Sequence, residues 1–274
     1  MSRGDRAAKQ AAEELARPGP HQVLRGDLAL AGLPGTIFSP QRGLGLPAVA
    51  FGRGWLQPES RYDELLRHLA SWGIVAACPG TQRGLLPSHR QYATDLRTTL
   101  DVCSGVRLGD GDITVDPGKL GLAGHSMGGG CAVLAAADDP RCGAVVTLAV
   151  SETVPSAQNA ARRCDAPALH LAAGKDRIAP PVGHAVPVAA AWAGPVQLRT
   201  LPKASHLGFT HGWHWSNLLL DGSPQTATRR ISRAFMTAFL RRQLMGVTEH
   251  DVLLDADLPA AAMHQADGQV QPTV

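Results

Sequence analysis

Gly124-His125-Ser126-Met127-Gly128 sets a serine between two glycines, each two positions away, where an apolar run gives way to a Gly-rich stretch. A serine on so tight a strand-to-helix turn is held in a strained backbone conformation, and side chains two residues away would collide. The turn lifts Oγ above the sheet and aims a helix N-terminus at the same spot, which favours a developing negative charge. The chemistry this suggests is attack on a carbonyl, with Ser126 as nucleophile.

A hydroxyl needs a base, and the base needs a group that orients it. On a sheet of this kind the expected order is serine, carboxylate, histidine. Asp176, in Gly174-Lys175-Asp176-Arg177, follows a later apolar strand and is the expected acid, with Glu152 as the alternative. His206, in Lys203-Ala204-Ser205-His206, follows the next strand and is the expected base. His211 and His214 lie close by, but no carboxylate or cysteine is interleaved and no HExxH helix is present, so no metal and no cofactor are expected. The oxyanion of a tetrahedral intermediate needs backbone donors. The N–H of Met127 is one expected donor, and the N–H of Trp55, after Gly52-Arg53-Gly54, is the other. His125 is expected to pack beside the serine and, with Trp213, to form the wall that meets substrate; Trp55, Phe209 and Trp215 are further candidates.

These residues must be positioned by the elements around them. Compact apolar runs at 47–51, 74–78, 119–123, 143–150, 168–172 and 196–201 predict buried strands, with two weaker ones at 22–30 and 33–38. Helical patterns at 5–17, 59–72, 89–103, 126–137, 182–192 and 226–244 fall between them. Such alternation predicts an α/β fold, a mostly parallel central sheet flanked by helices on both faces. Ligands then bind at the carboxyl ends of the strands, where all the candidates stand. Only residues 151–167 are available for a cap after the 143–150 strand, so no large cap domain and an open, shallow site are expected. We read 1–21 as a helical leader, 22–246 as the folded domain and 247–274 as a loose polar tail. The arginines of 226–244 are read as a solvated face.

Composition narrows the partners. The 274 residues carry 26 basic and 23 acidic side chains, a net charge of +3 without a basic stripe, so no nucleic acid is expected. An apolar fraction of 44% argues against disorder, and no apolar run is long enough for a membrane span. The first 20 residues mix both charge signs and lack the apolar core of a signal peptide. Five widely spaced cysteines read as reduced, buried thiols. The expectation is a cytoplasmic protein; the oligomeric state is left open.

Gly124-His125-Ser126-Met127-Gly128-Gly129-Gly130, Gly174–Pro180 and Lys203–His206, in this order, resemble the α/β-hydrolase superfamily. Within it, the chain is most similar to the dienelactone-hydrolase, chlorophyllase and bacterial cutinase-like (polyester hydrolase) group, over roughly residues 25–245. The resemblance implies Ser126 as nucleophile, Asp176 as acid, His206 as base, and the N–H groups of Met127 and Trp55 as oxyanion donors. Arg53 stands where many relatives carry a histidine, and Ser126 where the dienelactone hydrolases proper use cysteine.

The expected activity is cofactor-independent cleavage of a small carboxylic ester through an acyl-enzyme. Thioesterase, acyltransferase or peptidase chemistry on the same three residues is the first alternative. A non-catalytic binding protein that keeps the fold is the second.

Overall fold

The computed structural model describes residues 3–218, 220 and 222–264. Among these residues nine strands form one sheet: β1 (Val23–Asp27), β2 (Gly35–Pro40), β3 (Gly43–Gly52), β4 (Val75–Pro79), β5 (Ile113–His125), β6 (Cys142–Leu148), β7 (Ala168–Ala173), β8 (Val196–Leu201) and β9 (Ala262–Met263). Their order across the sheet is β1-β2-β4-β3-β5-β6-β7-β8-β9. The five pairings from β4 to β8 are parallel, and those of β1, β2 and β9 are antiparallel. The mostly parallel sheet expected from the sequence is therefore what forms.

The parallel strands are apolar on both sides because both sides are covered. Successive residues of a strand point to opposite faces, so Val49 and Phe51 enter one core layer, and Ala48 and Ala50 the other. The first layer is closed by α1 (Arg3–Leu15), α2 (Asp63–Ser71), α7 (Thr226–Met245) and α8 (Asp251–Asp255). The second is closed by α3 (His89–Gly105), α4 (Met127–Ala137), α5 (Ala157–Ala161) and α6 (Ala185–Ala191). Helix α4 is buried from Met127 to Ala136, which explains why it has no polar face. No helix among the described residues is long and apolar enough to cross a membrane.

The ends of the chain differ from the sequence reading. Helix α1, read as a leader, packs on α7 and α8, with Ala8, Ala11, Ala12 and Leu15 in the first core layer. Residues 247–264, read as the start of a loose tail, hold α8 and β9, and Leu253, Leu254, Leu258 and Ala261 join the same layer. The guanidinium of Arg199, wholly buried on β8, donates to the carbonyls of Ala256 at 2.8 Å, Ala261 at 3.0 Å and Leu254 at 2.5 Å. It also lies 4.5 Å from the Phe235 ring centroid. A five-residue helix and a two-residue strand are too short to show periodicity, so the sequence pattern could not reveal them. Residues 265–274 of the expected tail lie outside the described residues.

Four of the five arginines of α7 are tethered, and Arg230 is exposed as the solvated-face reading expects. Arg233 meets Glu64 at 2.7 Å, Arg229 donates to the Thr210 carbonyl at 3.2 Å, and Arg242 pairs with Asp251. Arg241 lies over the Trp72 ring. The helix stops at Gly246, whose φ of +69° suits a residue without Cβ.

Candidate active site

Strand β5 runs in the middle of the sheet, and Ser126 is the residue between it and α4. Its φ of +55° is a region few side chains adopt, and it is held there by neighbours on both sides. Ser126 N–H donates to Leu148 C=O at 2.9 Å, and Ser126 C=O accepts from Ser151 N–H at 3.1 Å. The glycines are required by close packing of backbone on backbone. A Cβ on Gly124 would strike the Gly128 carbonyl, and one on Gly128 would strike the carbonyls of Gly52 and Arg53. The same contact presses the end of β3 against the serine turn.

Asp176 follows β7, and His206 follows β8. Their loops are joined to each other: Gly174 N–H donates to Leu201 C=O at 2.9 Å, and Lys175 N–H to Ala204 C=O at 2.8 Å. Asp176 Oδ1 accepts the N–H groups of Ile178 at 2.9 Å and Ala179 at 2.8 Å. That leaves Oδ2, which lies 2.7 Å from His206 Nδ1. Burial works against the Asp176 carboxylate, but the bond to His206 and the two backbone donors outweigh it and hold its pKa below the ordinary value. A carboxylate only accepts, so Nδ1 carries the imidazole hydrogen and Nε2 is free to accept. Nε2 lies 2.8 Å from Ser126 Oγ. The three expected residues thus form one hydrogen-bonded chain, 6% exposed at the serine and 2% at the histidine.

The other candidates fall elsewhere. Glu152 Oε2 accepts the Gln158 N–H and does not reach His206. His211 pairs with Glu64 at 3.0 Å and His214 with Ser216 Oγ at 2.9 Å, so the three histidines do not converge. Met127 is the first residue of α4, where the helix provides no acceptor for its N–H. Trp55 stands in the pocket wall, its indole N–H on the Leu85 carbonyl. His125 also lines the pocket but is fully buried, with both ring nitrogens bonded inside the protein.

Trp213, expected in the wall with His125, is 73% exposed and is not among the residues that line the pocket. Beside it in the chain, Thr210 and Gly212 are held by Arg61, a buried guanidinium whose Nη2 donates to Gly212 C=O at 3.0 Å and Thr210 Oγ1 at 2.7 Å. It pins the chain just before Trp213. The wall is built instead by Ile178, Leu207 and Leu220, which the sequence reading missed because isolated aliphatics carry no motif. They also account for the buried rather than open serine. These side chains come from the segments after β7 and β8, not from an insertion after β6.

Among the described residues one group, Glu14, Glu249 and His250, has side chains close enough to share a cation. The carboxylates approach opposite ring nitrogens, 3.5 Å from Nε2 and 3.9 Å from Nδ1, and Arg241 sits on Nδ1. The group ties α1 to the turn before α8.

A family profile described as PETase, PET hydrolase-like, matches residues 3–212, more than half of the chain and all of the site through His206. No curated protein matches the sequence. The nine-stranded sheet, the serine turn after its central strand and this match agree: the chain belongs to the PET hydrolase-like family, polyester hydrolases of the α/β-hydrolase superfamily.

Proposed function

We propose that this protein is a serine hydrolase that cleaves carboxylic esters through an acyl-enzyme. The observation that carries the reading is the chain Asp176 Oδ2 to His206 Nδ1 at 2.7 Å and His206 Nε2 to Ser126 Oγ at 2.8 Å. Ser126 attacks the ester carbonyl as His206 takes its proton, and Asp176 stabilises the resulting imidazolium. His206 returns the proton to the leaving alcohol and then activates water for deacylation. The N–H groups of Met127 and Trp55 receive the oxyanion.

Ile178, Leu207 and Leu220 leave a small apolar space beside the serine, which supports a small ester as substrate, with the acyl group against these three side chains. Five buried free thiols support a cytoplasmic setting. The test is turnover of p-nitrophenyl acetate and butyrate together with fluorophosphonate labelling. The wild type should hydrolyse the esters and be labelled on Ser126, and Ser126→Ala should do neither. A labelled Ser126 with no ester turnover but with release of thiol or amine from other substrates would reassign the leaving group.

A further inference from the structure

Behind the serine, one buried polar path connects two parts of the site that are far apart in sequence. Gly54 N–H donates to the Tyr62 hydroxyl at 3.0 Å. The Tyr62 hydroxyl lies 2.8 Å from His125 Nδ1, and His125 Nε2 lies 2.8 Å from the His206 carbonyl oxygen. The hydrogens on this path have one consistent arrangement. A carbonyl can only accept, so His125 Nε2 carries the ring hydrogen and Nδ1 is the acceptor. Tyr62, already accepting from Gly54, therefore donates to Nδ1. Each hydrogen is used once, and the path runs in a single direction from the Gly54–Trp55 loop to the backbone of His206.

The surroundings make the path rigid. Tyr62 and His125 are closed to solvent, and their rings pack in series against Phe51, Phe209 and the His206 imidazole. A Cβ on Gly54 would lie 2.9 Å from His125 Nδ1 and 3.2 Å from the Tyr62 oxygen, so the loop backbone rests directly on both groups. Burial, and then the neighbouring His206, lower the His125 pKa to about 3. Nδ1 therefore stays an acceptor, and no second cation stands beside His206 when it takes a proton.

We propose that Tyr62 and His125 are positioning residues that fix the oxyanion loop and the backbone of the base relative to each other. The inference rests on the ester-hydrolase reading above. It differs from the wall role expected of His125, because the ring acts through its two hydrogen bonds and not by touching substrate.

The test is a set of steady-state measurements on p-nitrophenyl butyrate with Tyr62→Phe, His125→Gln, His125→Phe and the double variant Tyr62→Phe/His125→Phe, each checked for folding by its melting temperature. Tyr62→Phe should lower kcat about ten- to a hundredfold with KM within about threefold, since misplacement by a fraction of an ångström acts on the transition state. His125→Gln keeps a donor for the His206 carbonyl and should fall between wild type and His125→Phe. Adding Tyr62→Phe to His125→Phe should cost nothing further, because the path is already cut. A wild-type kcat in Tyr62→Phe, a loss carried by KM alone, or additive losses in the double variant would overturn the proposal. Should Tyr62→Phe not fold, the two His125 variants decide: equal kcat in them also overturns it. A wild type with no ester turnover and an unlabelled Ser126 would overturn the ester-hydrolase reading itself, and this inference with it.

Discussion

Asp176 Oδ2 and His206 Nδ1 meet at 2.7 Å with the carboxylate side chain fully closed to solvent. The carboxylate divides its work: one oxygen holds its own loop through Ile178 and Ala179, and the other holds the imidazole. It cannot rotate without losing one set of bonds, so the tautomer of His206 is set by the backbone of the β7 loop.

Replacing Asp176 with Asn should therefore lower kcat on p-nitrophenyl butyrate by roughly a thousandfold or more, because an amide can present its N–H to Nδ1 and invert the tautomer. Glu152→Gln should stay within about twofold of wild type. The reverse ranking would move the acid to Glu152.

Gly128→Ala tests the packing of the serine turn. The added methyl would strike backbone at Gly52 and Arg53, which cannot swing aside as a side chain can. Overpacking of this kind costs about 1–3 kcal/mol, or a fall of roughly 2–10 °C in melting temperature. Activity should fall more steeply than stability, since the displaced strand end leads into the Trp55 loop. A variant with wild-type melting and wild-type turnover would show that the close approach is dispensable.

Stability should decline in acid. Burial lowers the pKa of His125 to about 3 and, as the leading cause, those of His68 and His170 to about 4, against an ordinary value of 6.5. The unfolded chain then binds protons that the folded one refuses, so stability is complete above about pH 6.5 and is lost as pH falls from there toward 4. The loss should reach roughly 3 kcal/mol per histidine near pH 4. Thermal melts from pH 7.5 to 4.5 measure it, and His170→Leu should flatten the curve. A melting temperature constant over this range would rule the effect out.

Arg199 is expected to hold the C-terminal segment in place. Arg199→Met should leave the carbonyls of Ala256 and Ala261 without their side-chain donor and that of Leu254 with Gln197 alone, and speed amide hydrogen exchange in 251–264, while exchange in α4 changes little. A chain ending at Gly246 should melt several degrees lower than one ending at residue 264. Equal melting temperatures would show that α8 and β9 add nothing to stability.

The central sheet was legible because strands buried on both faces are mostly apolar, as in Ala168–Ala173, where His170 is the one polar side chain, and because Ser126, Asp176 and His206 each follow a strand within a few residues. Strand β5 begins at Ile113 rather than Lys119, a stretch hidden by Asp116, Pro117 and Gly118. Tyr62 and His125 are 63 positions apart, and in sequence Tyr62 is only one more apolar position of a helical stripe. Arg61 was invisible for the opposite reason. Its partners are the Gln57 amide oxygen and the carbonyls and neutral side chains of residues 210–217, so no acidic residue marks it as buried.

Strand β9 contributes only two residues, yet Met263 and Ala262 pair with Arg199 and Thr200 on what would otherwise be the open margin of β8. An unpaired margin offers a row of free N–H and C=O groups to any other chain. Covering that margin should therefore hinder self-association. A protein shortened before β9 should form sheet-rich aggregates at concentrations where the full chain stays in solution, a difference that light scattering on freshly purified samples would detect.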